Sequence, residues 1–133
     1  LYEDEPITFT LSEARTLLPT VRPLIRRMVR EYQALSKLAD EVERAREKAD
    51  LGGGTPYGVV YLTHLSRFSE AAGKVQSLGV LIKDVRTGLI DFPCEFQGRI
   101  IYLCWRLGED DIDWWHEIES GFAGRQMLTD EFN

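Results

Sequence analysis

The chain has 133 residues, of which 44% are apolar and 29% charged, and its net charge is −6. That size and composition suit one modest core in a single domain spanning 1–133 and leave no room for a second. The acidic excess, concentrated at the two ends of the chain, argues against a polyanionic partner, so nucleic-acid binding is not expected.

No stretch approaches the roughly 20 apolar residues that span a bilayer, and nothing near Leu1 to Thr10 reads as an export signal. Two cysteines, Cys94 and Cys104, are too few for a disulfide scaffold and lack the paired spacing of a zinc site. The expectation is a soluble cytoplasmic protein with free thiols and no membrane contact.

Thr10-Leu11-Ser12-Glu13 reads as a capping box that starts a helix. Apolar residues then fall at Leu11, Ala14, Leu18, Val21, Ile25, Met28, Tyr32, Leu35, Ala39 and Val42, the 3-4 alternation of a coiled-coil seam. Pro19 and Pro23 lie on the opposite face, so the spacing predicts a kink near Leu18 and not a stop. Arg22, Arg26 and Arg30, with Arg15 and Arg27 nearby, form a basic row whose simplest reading is a solvated helix face.

Asp50 to Pro56, with Gly52-Gly53-Gly54, ends this helix; no Lys-Ser/Thr follows, so a hairpin tip is expected and not a phosphate loop. A second helix is predicted from about Val59 to Leu78, with Tyr61, Leu65, Phe68, Ala72 and Val75 as its seam and Gly79 just past its end. At ~1.5 Å per residue it is about half as long as the first. Folded back, it reaches only to about residue 30, and the seam from Leu11 to Met28 needs another cover. Either the following sheet or a second subunit can supply it.

Val80 to Val85, Leu89 to Phe96, Arg99 to Leu107 and Ile112 to Glu119 read as four strands of an antiparallel meander. The fold class is therefore α+β, a long helical hairpin over 10–79 and a sheet over 80–133. A two-residue turn at Gln97-Gly98 pairs Phe96 with Arg99 and sets Asp91 opposite Cys104. Ile90, Phe92, Cys94, Ile101, Leu103 and Trp105 then form the core face, and Cys94 and Cys104 point to opposite sides, against a disulfide. A three-residue loop places Lys83 across from Asp91. A four-residue loop at Gly108 to Asp111 places Asp113, Trp115, Glu117 and Glu119 on the polar face and His116 toward the core. A slip of one residue reverses this and brings His116 beside Asp91 and Cys104, where a metal or proton-transfer site becomes conceivable.

The candidate ligand- or metal-binding residues are Asp91, Arg106, His116, Glu117, Glu119 and Arg125. His116-Glu117-Ile118-Glu119 has His and carboxylates at ligand-capable spacing but lacks the helical two-imidazole pattern, and a packed His beside Trp114 and Trp115 explains it as well. Asp91 with Lys83 and Arg106 suits a bound carboxylate or a cross-strand ion cluster. Gly121 to Gln126 is a glycine-flanked loop ending in Arg125, suited to an anion, or to a turn that tucks Phe122 into the core. His64 shows no partner in the sequence.

Phe9-Thr10-Leu11-Ser12-Glu13-Ala14 with Leu17-Leu18-Pro19, then Gly79-Val80, Lys83-Asp84, Gly88 through Pro93, Tyr102 through Glu109, Trp115-His116-Glu117 and Gly121 through Arg125, occur in this order. This series of blocks resembles the bacterial family catalogued as domain of unknown function 2203, over nearly the whole chain except the Gly52 to Tyr57 tip. The resemblance implies a small cytoplasmic protein of helical hairpin plus sheet and brings no activity with it.

Two functional readings follow. The first is an interaction or scaffold protein that homo-oligomerises through the Leu11 to Met28 part of the seam. The alternative is a metal- or small-anion-binding domain, extending to an enzyme, with its polar site on the sheet. No cofactor is predicted beyond a divalent metal, and no small-molecule ligand is identified.

Overall fold

The computed structural model describes residues 7–48 and 57–133. The Asp50 to Pro56 turn expected from its glycines lies outside them. Helix α1 runs from Leu11 to Lys48 and helix α2 from Gly58 to Ser77; the strands are β1 (Leu81–Asp84), β2 (Leu89–Phe96), β3 (Arg99–Arg106), β4 (Trp114–Glu117) and β5 (Gln126–Met127). The strands form one antiparallel sheet in the order β1-β2-β3-β4-β5.

The capping box forms as the sequence predicts: Glu13 N–H donates to Thr10 Oγ1 (3.0 Å) and Thr10 N–H to Glu13 Oε1 (2.8 Å). The helix continues through Pro19 and Pro23. Helix α2 returns antiparallel to α1, marked by Arg27 with Glu70 (3.9 Å) and the Tyr32 and Phe68 rings at 6.3 Å. Its end is tied by the Leu78 and Gly79 amides, which donate to the Val75 and Gln76 carbonyls.

The cover for the early seam is the chain's own sheet. Leu11, Ala14, Leu18, Val21, Ile25 and Met28 are each 3% exposed or less, in one core with Ile90, Phe92, Ile101, Leu103, Trp105 and Ile112. Phe9 closes one end, its amide on the Pro93 carbonyl (2.7 Å) and its ring edge-on to Phe92. Gly88, at the β1–β2 turn, sits so close to Ile25 and Leu107 that a Cβ there would come within 2.9 Å of both. An uncovered Leu11 to Met28 seam, the premise for oligomerisation through it, is therefore absent.

Two arginines of the basic row join the same packing, while Arg26 and Arg30 stay on the exposed helix face. Arg15 donates to the Ile112 carbonyl (2.9 Å) and lies 3.5 Å from Asp111; Arg22 donates to the Asp110 carbonyl (2.6 Å) and lies over Trp105. These arginines clamp the acidic β3–β4 loop onto α1.

The β2–β3 register is the expected one, with Phe96 opposite Arg99 and Asp91 opposite Cys104. Gln97 and Gly98 both take positive φ (52° and 77°), as a two-residue turn of the right twist requires. The two outer registers differ from expectation. Leu81, not Lys83, lies opposite Asp91, because the register shifts between Ile82 and Asp84. There the Asp84 carboxylate accepts from Arg86 N–H and Thr87 Oγ1, an aspartate turn that lengthens the connection. The two-residue shift preserves the face on which Lys83 points.

Strand β4 starts at Trp114, and Cys104 pairs with Trp114, Leu103 with Trp115 and Tyr102 with His116. That is the slipped register: Trp115 faces the core and His116 the outer side, correcting the four-residue-loop assignment. The loop is longer because Ile112 is turned wholly into the core, its carbonyl held by Arg15. Strand β5 has no periodic signal in its two residues. Beyond it, a 3-10 turn at Asp130–Phe132 stacks Phe132 on Phe96 at 4.1 Å.

Candidate functional site

The outer face of the sheet is not a solvated surface. Asp91, Cys104 and His116, on three adjacent strands, are buried to 1%, 0% and 3% exposure. Their cover is the segment after β4. It turns at Gly121, whose φ of 61° and ψ of −162° are open essentially only to glycine. It then passes through a 3-10 turn at Phe122–Gly124 to Arg125.

Arg125 anchors this cover. Its guanidinium donates to Glu109 Oε2 (2.9 Å) and Oε1 (2.6 Å), reaches the Cys104 carbonyl (3.5 Å), and lies over the Trp114 and Phe122 rings. Burial disfavours the Glu109 carboxylate, but the Arg125 hydrogen bonds and the Arg106 amide outweigh it and hold the group below its ordinary value. The loop therefore does not tuck Phe122 into the core. Phe122 is 40% exposed, on the outer side between Arg106 and Arg125.

Beneath this cover His116 Nε2 is 3.1 Å from both Asp91 carboxylate oxygens. Its Nδ1 lies 2.7 Å from the Glu117 carbonyl, which can only accept, so Nδ1 carries a hydrogen. The Nε2–Asp91 contact therefore needs a proton between them, carried by the imidazole or by the carboxyl. Burial raises the Asp91 pKa, opposed by His116, Cys104 and Lys83. Burial also pushes the Cys104 thiol up to about 12, with the Asp91 charge adding to the effect and Arg125 opposing it. A thiol held this way is no nucleophile by itself.

One ligand atom from each of Asp91, Cys104 and His116 falls within 4.8 Å of the others. A cavity of about 140 Å³ opens over the pair, walled by Tyr102, Ile118 and Phe122, with Lys83 beside Asp91. The Lys83 ammonium lies 4.9 Å over the Tyr102 ring, and Tyr102 meets His116 edge-on.

Of the six candidate residues, Asp91 and His116 meet directly, and Arg125 supports them through the cover. Arg106 lies over Phe122 and makes no ion pair with Asp91, so the expected Lys83–Asp91–Arg106 cluster does not form. Glu117 turns its side chain away to Arg99 (3.0 and 2.6 Å) and serves the site through its carbonyl. Glu119 is exposed beyond the strand. Cys104, absent from that set, belongs to the site; its pairing with Asp91 was readable from the Gln97-Gly98 turn. His64 also has a partner: its Nδ1 lies 2.5 Å from the buried Glu31, joining α2 to α1.

The family model described as "Uncharacterized conserved protein (DUF2203)" matches residues 8–128, and the chain belongs to that family. Neither a search of curated proteins nor a search of solved structures finds a match. The matched span contains the whole sheet site and its cover.

Proposed function

We propose that this member of the family binds a divalent transition metal of the zinc type through Asp91, Cys104 and His116. The observation that carries the reading is the convergence of a carboxylate, a thiol and an imidazole from three strands within 4.8 Å. Ligating histidines usually give their other ring N–H to a carbonyl or carboxylate, and the Glu117 carbonyl already holds Nδ1–H of His116. That leaves Nε2 for the ion.

The spacing supports this. Nitrogen and oxygen ligands around tetrahedral zinc stand roughly 3.4 Å apart, close to the 3.1 Å between Nε2 and the Asp91 oxygens. Three protein ligands and an adjoining cavity make a site with one coordination position open, as in zinc sites that act on an exogenous ligand. Zinc with one carboxylate and one thiolate is electrically neutral, so the buried site would carry no net charge. Burial disfavours the Cys104 thiolate, Arg125 partly offsets this, and a bound dication would supply the rest. A thiol ligand needs a reducing compartment, which supports the cytoplasm as the place of function. Among the described residues, no helix is long and apolar enough to cross a membrane.

Metal titration tests the reading. Reduced protein is expected to hold about one zinc per chain, and Co(II) to give a thiolate-to-metal absorption band lost in Cys104→Ser. His116→Ala and Asp91→Asn, checked for folding by circular dichroism, should each weaken binding at least about tenfold. Wild-type protein that retains no zinc and gives no cobalt band overturns it.

Self-association is a second reading with one observation in its favour, displaced from its original place. Val59, Val60, Leu62 and Leu65 are exposed at the start of α2, with Leu62 at 63%. Sedimentation of wild type against Leu62→Glu decides it: an oligomer dissolved by the substitution supports the reading, and a wild-type monomer removes it.

A further inference from the structure

We infer that the open position of this metal site takes a small monocarboxylate, one oxygen on the ion and the other toward the Lys83 ammonium. The inference rests on the metal reading and deepens it.

Charge comes first. With Asp91 and Cys104 committed to a divalent ion the centre is neutral, and Lys83, at the cavity wall, adds positive charge, with Arg106 over the Phe122 ring at its edge. Among the described residues Lys83 has no salt bridge to a carboxylate; its ammonium lies against the Tyr102 ring. An anion bound there meets that positive charge.

Shape and polarity narrow the class. Apart from Lys83, Asp91 and His116, the wall is Leu89, Tyr102, Ile118, Gly121 and Phe122. The cavity, about 140 Å³, suits a small ligand. An oxyanion such as phosphate would turn oxygens toward Phe122, Leu89 and Ile118, which offer no side-chain donor. A carboxylate with a short alkyl group puts both oxygens on the cationic side and its carbon chain on the apolar side. Acetate and propionate are the simplest ligands of this kind.

Lys83 is placed to act on this ligand without ligating the metal. It is exposed and stands outside the three-ligand set, so its effect on a bound carboxylate is read at saturating metal. Lys83 lies at the β1 irregularity between Ile82 and Asp84 and lines the cavity with Leu89 and Asp91.

The test uses Co(II)-loaded full-length protein titrated with acetate, propionate and phosphate, read from the visible d–d bands. Saturable shifts are expected with both carboxylates, propionate binding at least as tightly as acetate and phosphate more weakly. Lys83→Met, held saturated with cobalt, should weaken the carboxylates about fivefold. Phe122→Ala should weaken propionate more than acetate. Equal carboxylate affinity in wild type and Lys83→Met, or tighter binding of phosphate, overturns the inference while the metal site stands. Failure to bind cobalt at all refutes the metal reading and the inference together.

Discussion

The two faces of one sheet bury their side chains by different physics. On the helix side Phe92, Leu103, Trp105 and Ile101 pack against the α1 seam, where burial of apolar surface suffices and small shifts cost little direction. On the far side Asp91, Cys104 and His116 lie as deep, under a thin cover of a few residues, and each needs a partner in a fixed direction. The first face sets the stability of the fold, and the second uses part of it to hold groups that water would otherwise solvate.

Substitutions on each side sharpen this contrast. The largest loss is expected on the helix side: Trp105→Ala empties a fully buried indole site and orphans the Glu109 carbonyl that Nε1–H donates to. A cost of about 3–5 kcal/mol in chemical denaturation is expected, and a loss under 1 kcal/mol would show that the core repacks freely.

Next comes the far side. Arg125→Ala leaves Glu109 half-buried without its cation and unpins the cover, for a cost of about 2–3 kcal/mol. It should also speed alkylation of Cys104 by iodoacetamide under native conditions, since the thiol, at 0% exposure, owes its protection to that cover. Unchanged alkylation would mean the 3-10 turn holds without Arg125.

The pH dependence is a smaller effect with a definite sign. Glu109 ionises more readily folded than unfolded, so the native state binds fewer protons near its ordinary value of 4.5. Its stabilisation is complete above that value and disappears as pH falls through the lower folded one. Wild type should therefore lose more stability between neutral pH and mild acid than Glu109→Gln; parallel curves would break the assignment. The smallest effect is reserved for Leu62→Glu on α2, exposed and remote from both faces, which should change monomer stability by about 0.5 kcal/mol or less.

Local chemistry was legible in the sequence. The capping box at Thr10 and Glu13, the buried seam from Leu11 to Met28, the end of α2 near Gly79 and the β2–β3 register each depend on residues a few positions apart. Periodicity also split Cys94 from Cys104 onto opposite faces. The same information brought Asp91 next to Cys104, half of the candidate site.

Tertiary structure decided the rest. Whether the sheet or another subunit covered the seam depended on contacts between residues such as Ile25 and the Gly88 turn, more than sixty positions apart, which no local pattern encodes. The face of His116 turned on one residue of loop length, and that was set by Ile112 sinking into the core under Arg15. Because side chains alternate along a strand, this long-range packing choice, and not the identity of His116, put the imidazole beside Asp91.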